Sequence, residues 1–150
     1  MKKSVATVLA LAVMLTMVTP AFAGATKVPL KATRSPTAAC SSLNLGDAVG
    51  FVIFNLPKGK NNFMVTVGIQ RGVPKGNYKV WLGYLTNTPF TGACGGSWLF
   101  LGWLAVDSLG EGSFHWNGNL NTGTQQYIVA IDNPTDALTL YATSFVTLSP

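Results

Sequence analysis

Histidine is nearly absent from this sequence, which has one, His115, among 150 residues. A zinc or copper site needs several nitrogen or sulfur ligands that converge, and the two cysteines are expected to bond to each other. A copper-zinc dismutase-like site, which requires a histidine cluster, is therefore excluded. We expect no metal and no other cofactor, and we expect His115 to be a half-exposed strand residue.

The scarcity of histidine also argues against nucleophilic catalysis, because a serine nucleophile needs a base beside it. A triad can be written from His115, Asp107 and either Ser113 or Ser108, but the sequence has no nucleophile elbow motif. We therefore expect that the protein is not an enzyme.

Acidic side chains are few as well, and four of the five fall in two predicted turns. They could supply the carboxylate pair of a glycoside hydrolase, but turns at unknown separation do not indicate one. A weak calcium site stays open as an alternative, with ligands from Asp107, Ser108 and Glu111 or from Asp132, Asn133 and Asp136. Neither turn matches a complete calcium loop, and turns commonly use aspartate and asparagine.

Charge is sparse but unevenly distributed along the chain. Every lysine and arginine lies at or before Lys79, and every acid except Asp47 lies at or after Asp107. No dense basic cluster occurs, so a nucleic-acid partner is not expected. Two oppositely charged patches could favour head-to-tail contact between copies, whereas the simpler interpretation is that these charges solubilise turns.

The N-terminus has the pattern of a secretory signal peptide. Lys2 and Lys3 precede an apolar stretch at residues 5–18, which is followed by Pro20 and the small-residue site at residues 21–23. The stretch is shorter than the ~20 residues of a spanning helix. We expect cleavage before Gly24, a secreted or cell-surface location, no membrane contact afterwards, and a fall in net charge from +5 to +3.

Cysteine occurs only twice, at Cys40 and Cys94. Because an exported chain enters an oxidising compartment, we expect these two residues to form a disulfide. The bridge would join the N-terminal segment to the loop that leads into the most apolar run of the chain.

That run, WLFLGWLAV at residues 98–106, contains no charge and no proline and is predicted to be a central strand. Trp98, Phe100, Leu104 and Val106 would lie on one face, with Leu99, Leu101 and Trp103 on the other. Gly102 indicates a bulge. Both faces need cover, so a face left open by the chain would indicate a partner.

Further runs of alternating or β-branched residues predict strands at residues 48–56, 63–69, 78–85, 113–117, 125–132 and 138–148. About seven antiparallel strands without a helical period indicate an all-β, two-sheet β-sandwich. We assign residues 1–23 to the signal peptide, 24–46 to an extended N-terminal arm and 47–150 to the sandwich domain. The arm could be a linker, a basic segment that contacts the cell wall, or an edge strand held by the disulfide, whereas the simplest interpretation is a partly ordered terminus.

Three segments carry a resemblance at the level of architecture: GNYKVWLGYL, LAVDSLGEGSFHW and YIVAIDNPTDALTLYATSFVTL. Their succession of strand, turn and strand resembles small secreted bacterial immunoglobulin-like or fibronectin type III-like sandwiches. The resemblance implies a binding or scaffolding role outside the cell. The positions of Cys40 and Cys94 depart from the buried disulfide of antibody-type domains.

The aromatic side chains are the remaining functional signal. If Tyr78, Val80 and Leu82 face the core, Trp81 and Lys79 point outward, and exposed rings can stack on sugars. Candidate ligand or partner contacts are Trp81, Lys79, Trp116 and Trp103, although tryptophans also fill sandwich cores. We expect an exported structural or interaction domain that can self-associate, or alternatively a small carbohydrate-binding module that recognises a cell-surface glycan.

Overall fold

Nine β-strands make up the regular structure of this chain in a computed structural model that describes residues 24–33, 46–56, 62–86, 97–119 and 125–148. The strands are β1 Ala25–Thr33, β2 Ala48–Asn55, β3 Asn62–Ile69, β4 Gly76–Thr86, β5 Ser97–Val106, β6 Gly112–Asn119, β7 Gln125–Asn133, β8 Asp136–Ala142 and β9 Val146–Leu148. The described part contains no helix, and hence none with the length and apolar character to cross a membrane. The predicted signal peptide lies outside the described residues, as do Cys40 and Cys94.

The strands join in one antiparallel sheet with the order β5-β4-β7-β8-β1-β2-β3-β6, and β9 pairs with β7. Its two end strands, β5 and β6, are consecutive in the chain and are joined by the turn at residues 107–111, so the sheet curls until it is nearly closed. The predicted all-β antiparallel class is confirmed. The predicted division into two sheets and the predicted count of about seven strands are not confirmed.

The strand count differs for two local reasons. The predicted strand at residues 138–148 divides into β8 and β9, which pair with different parts of β7. Thr143 lies between them, where its N–H donates to the Val129 carbonyl at 3.0 Å and its Oγ1 accepts from the Val129 N–H at 3.1 Å. The second reason is that the N-terminal segment contributes β1.

β1 lies inside the sheet, between β2 and β8, although its residues belong to the segment expected to form an arm. Leu30 is fully buried, whereas Lys27 and Pro29 are exposed. Pro29 pairs with Phe51 of β2, whereas the pairing of β1 with β8 begins only at Lys31. The missing N–H of Pro29 therefore removes no hydrogen bond from the β1–β8 pairing. The described residues of the predicted arm are thus an internal strand, and the sheet begins well before residue 47.

The inner face of the curled sheet forms the core. Strands β3 and β4 follow the predicted alternation, with Phe63, Val65 and Val67 and then Tyr78, Val80 and Leu82 pointing inward. Tyr127 stacks on Phe63 with ring centroids 4.7 Å apart. The other buried members include Val52, Phe54, Leu104, Val106, Val129 and Ile131. This one continuous apolar interior supplies the main hydrophobic stabilisation of the fold.

The apolar run at residues 98–106 is not a central strand. It forms β5, which lies at one end of the sheet and pairs with β4 alone among the described strands. Only Leu104 and Val106 are buried on the inside, and the first half of the strand is open to solvent. Apolar content indicates that a strand needs cover, but it does not specify whether the same chain provides that cover.

Candidate functional site

A bulge in β5 decides which of its side chains point outward. Val80 of β4 pairs with Gly102, but the next residue, Trp81, pairs with Phe100, so Leu101 is an extra residue in β5. Gly102 has a φ of 148°, a value that favours glycine. The predicted bulge is confirmed. Because one inserted residue exchanges the two faces of a strand, Phe100 and Trp98 point to the same side as Trp103.

These three side chains and Trp81 form what we call the aromatic surface, on the outside of β4 and β5. The Trp81 and Phe100 ring centroids are 5.2 Å apart with the planes inclined at 56°, and Phe100 and Trp103 meet edge to face at 6.0 Å. Trp98, Phe100 and Trp103 are 39%, 43% and 52% exposed. With about 150–250 Å² for each aromatic side chain, roughly 300 Å² of ring surface faces solvent.

Two charged residues border the aromatic surface. Lys79 of β4 pairs with Trp103 on one side and with Asp132 of β7 on the other. Its Nζ lies 5.8 Å from the Trp103 ring centroid, within the range of a cation–π contact. The Trp81 indole Nε1–H donates to Asp132 Oδ1 at 2.9 Å, which fixes the orientation of the indole.

Beside the aromatic surface, on the same outer side of the sheet, lies a second apolar cluster that is separate from the main core. It consists of Ile128, Ala130, Leu140 and Ala142, with Phe145 packed against it. The Trp98 ring and the Ile128 side chain both contact the space above Gly83, where a Cβ would lie 2.7 Å from Ile128 and 3.0 Å from the indole. Trp98 therefore adjoins this cluster at Ile128, and Trp81 adjoins it at its cross-strand partner Ala130.

The sequence-predicted contact residues are divided between two places. Trp81, Lys79 and Trp103 lie together, as described above. Trp116 lies on β6, is only partly buried and packs against the main core, with its ring 6.5 Å from that of Phe63. The sequence prediction missed Phe100, Trp98 and Asp132; applying the Gly102 bulge to the face assignment would have identified the first two.

Two of the side chains considered for catalysis, His115 and Asp107, form hydrogen bonds within the fold. His115 is exposed, and its Nδ1 lies 2.9 Å from Thr66 Oγ1. Asp107 Oδ1 accepts the N–H groups of Leu109 and Glu111 at 2.8 and 3.0 Å, and this contact closes the β5–β6 turn.

In the other acidic turn, Asn133 Oδ1 accepts the N–H and the hydroxyl of Thr135. The side chain of Asp136 lies outside the described part. Across the ranges that the structure describes, no three His, Cys, Asp or Glu residues are grouped so that they could hold a metal ion.

The folded chain brings together charges that are far apart in sequence. Lys79 pairs with Asp132 across β4 and β7. The loop that contains Arg71 and Lys75 is in contact with the acidic turn at residues 107–111, because Gly110 lies against Val73. Some basic and acidic residues that are far apart along the chain therefore lie on neighbouring elements of the fold, and head-to-tail contact between charged patches stays a prediction.

One titratable group in the core has a perturbed pKa. Burial raises the pKa of the Tyr127 hydroxyl above its ordinary value of 10.0, because the phenolate is poorly solvated there. Tyr127 stacks on Phe63 in the main core, on the opposite side of the sheet from the aromatic surface, so we relate this shift to stability and not to binding.

Comparison of the chain with protein-family models, with curated proteins and with solved structures finds no match.

Proposed function

We propose that this protein is an exported, non-enzymatic interaction domain of the cell surface or extracellular space, and that it self-associates through the aromatic surface. The observation that carries the proposal is the exposure of Trp98, Phe100 and Trp103 on the same side of β5. A patch of roughly 300 Å² is at the lower end of the largest patches found on monomeric proteins, which often mark interaction sites.

Contacts within the sheet hold the rings of the patch in place. Phe100 contacts both Trp81 and Trp103, and Trp98 lies beside the buried Ile128, so an incoming surface would have few flexible side chains to order. β5 carries neither charge nor proline over its whole length, although natural proteins commonly use both to protect exposed strands. Covering this strand would remove apolar area from water at low entropic cost.

The exported location rests on the signal-peptide pattern of residues 1–23 and on the Cys40 and Cys94 pair. Mass spectrometry of the protein secreted from its complete sequence provides the test. We expect an N-terminus at Gly24 and a mass that rises on reduction by the two hydrogens of one disulfide. Retention of residues 1–23, or two free thiols, would contradict this part of the proposal.

Sedimentation velocity of the purified protein over a wide concentration range tests the self-association. We expect the average mass to rise with concentration and Phe100→Lys to suppress the rise. Leu109→Lys is the matched control, because Leu109 is 77% exposed on the β5–β6 turn and lies outside the aromatic surface. A monomer at every concentration, or equal effects of the two substitutions, would overturn the proposal.

A second candidate function is binding of a cell-surface glycan, favoured by one observation. Trp103, the most exposed ring, lies beside Lys79, which pairs with Asp132, so polar groups flank an apolar ring. The rings are inclined to one another at 56° and 78°, so they do not form one flat platform, which makes this candidate second. A glycan array with Trp103→Ala, and with Leu109→Ala as control, tests it: binding lost only with Trp103→Ala supports the candidate.

A further inference from the structure

The first half of β5 is exposed on both of its faces, and within the described residues no strand pairs with its outer edge. Trp98, Leu99 and Phe100 are consecutive, and all three are more than a third exposed, at 39%, 37% and 43%. Consecutive strand residues point to opposite faces. Leu99 pairs with Leu82, which is fully buried, so Leu99 points to the inner side while its neighbours point outward.

A ligand that simply lies on the aromatic surface would leave Leu99 uncovered. A strand added beside β5 would cover both faces, because its own side chains alternate in the same way. β5 pairs only with β4, and no ladder joins it to β6 within the described residues. Among the described strands, none therefore pairs with the edge of β5 that points away from β4, which is the edge that such a strand would use.

We propose that a second copy of this chain supplies that strand, by antiparallel pairing of residues 97–101 of the two copies about a two-fold axis at Leu99. This inference rests on the proposed self-association and specifies how it occurs. Residue 98 of each copy would pair with residue 100 of the other, and residue 97 with residue 101. The sheets of the two copies would then be continuous.

The segment is complementary to itself in this register. On the outer face each Trp98 meets the Phe100 of the other copy, and on the inner face the two Leu99 side chains meet, so that apolar side chains pair at the three central positions. A symmetric contact between two copies about a two-fold axis brings the same segment of each copy together, so the segment must be complementary to itself. β5 contains no charged residue from Ser97 to Val106, so no like charges face each other across the axis.

The bulge sets the limit of the paired segment. The regular stretch ends where Leu101 and Gly102 interrupt the register, and Gly102 lies against the Phe114 ring of β6. Beyond this point β5 runs toward its turn with β6, where the Asp107 N–H donates to the Glu111 carbonyl at 2.9 Å. The open edge is therefore short, and the exposed ring area is well below the ~800 Å² per partner of a standard stable interface. We expect a dimer that dissociates on dilution.

Leu99→Lys tests the pairing, because it sets two cations against each other at the axis while leaving the outer face unchanged. We expect self-association to weaken by roughly tenfold or more, as like charges directly opposite destabilise a strand pair. Leu109→Lys adds the same charge to the turn and should associate like the unmodified protein. If Leu99→Lys associates as the unmodified protein does, the pairing is wrong.

Hydrogen–deuterium exchange on the unmodified protein gives an independent readout that does not depend on a variant folding. Strand pairing predicts that amides within residues 97–101 exchange more slowly at high than at low protein concentration. Self-association without this protection would overturn the strand pairing and leave the proposed function standing. A protein that is monomeric at all concentrations would remove both, and protection of these amides by an added glycan alone would assign the surface to the second candidate.

Discussion

Trp98 of β5 lies over Gly83 of β4, its cross-strand partner, with its ring 3.0 Å from the position that a Cβ of residue 83 would occupy. The Ile128 side chain contacts the same space at 2.7 Å. Glycine therefore makes room for an indole at the surface of the sheet. A large ring covers a strand position that has no side chain of its own, which compensates for the weakness of glycine in a strand.

Gly83→Ala should accordingly displace the Trp98 indole or force the strands apart. We expect a loss of about 1–3 kcal/mol in the free energy of unfolding, the usual effect of overpacking. Urea denaturation followed by tryptophan fluorescence measures both the stability and the change around the ring.

Gly76→Ala is the matched control for that substitution, because Gly76 lies on the same strand and its added Cβ would meet only Tyr78, at an ordinary 3.6 Å. Equal effects of the two substitutions would contradict the role assigned to the space above Gly83.

Gly102→Ala should be destabilising because of its backbone as well as its surroundings. Its φ of 148° is a conformation that other residues rarely adopt, and an added Cβ would lie 3.0 Å from the Phe114 ring. We expect a loss of about 1–3 kcal/mol in unfolding free energy. Gly72→Ala, with a φ of 78° and open space around it, isolates the backbone effect and should cost less. An equal loss at both positions would show that contact with Phe114 contributes nothing.

The hydrogen bond from Trp81 to Asp132 should be measurable as a coupling energy. Trp81→Phe removes the indole N–H that lies 2.9 Å from Asp132 Oδ1, and we expect a coupling of about 1 kcal/mol in a double-mutant cycle with Asp132→Ala. A parallel cycle of Trp81→Phe with Asp107→Ala should be additive, because Asp107 interacts with its own turn. Chemical denaturation of the variants provides the energies, and additivity in the first cycle would contradict the interaction.

Tyr127 should make the protein less stable in alkali. Because burial raises its pKa in the folded state, the folded chain holds this proton more tightly than the unfolded chain. Its contribution to stability is therefore complete below a pH of about 10 and is lost as the pH rises above that value. In the Tyr127→Phe variant, the free energy of unfolding should decrease less steeply as the pH rises above about 10. Chemical denaturation at a series of pH values measures this dependence. An unchanged alkaline slope would show that other groups control it.

The alternation of apolar residues predicted most individual strands correctly, and in β3 and β4 it also predicted the buried face. It failed for β1, because Lys27, Pro29 and Lys31 conceal the one side chain that is fully buried there, Leu30. Burial of β1 depends on pairing with β2 and β8, which lie at very different distances along the chain. Strand order of this kind depends on long-range contacts that no local pattern contains.

The candidate functional site, too, could be predicted only in part from the sequence. The sequence identified Trp81 with Lys79 as outward-facing and Gly102 as a bulge, and both features are present. How these two features form one surface depends on the register of β4 against β5, which places Phe100 opposite Trp81 and Trp98 opposite Gly83. Asp132 entered the site only because β7 pairs with the other edge of β4.

The sequence by itself determined the all-β antiparallel character of this protein, since side-chain alternation, turn residues and glycine preferences are local properties. It also determined that the run WLFLGWLAV needs cover. Only the tertiary structure decided that β5 lies at one end of a nearly closed sheet and that Lys79 and Asp132, far apart along the chain, stand opposite each other on neighbouring strands. The physical reason is that exposure is set by which strands become neighbours, and a strand at the end of a sheet lacks one neighbour whatever its own residues prefer.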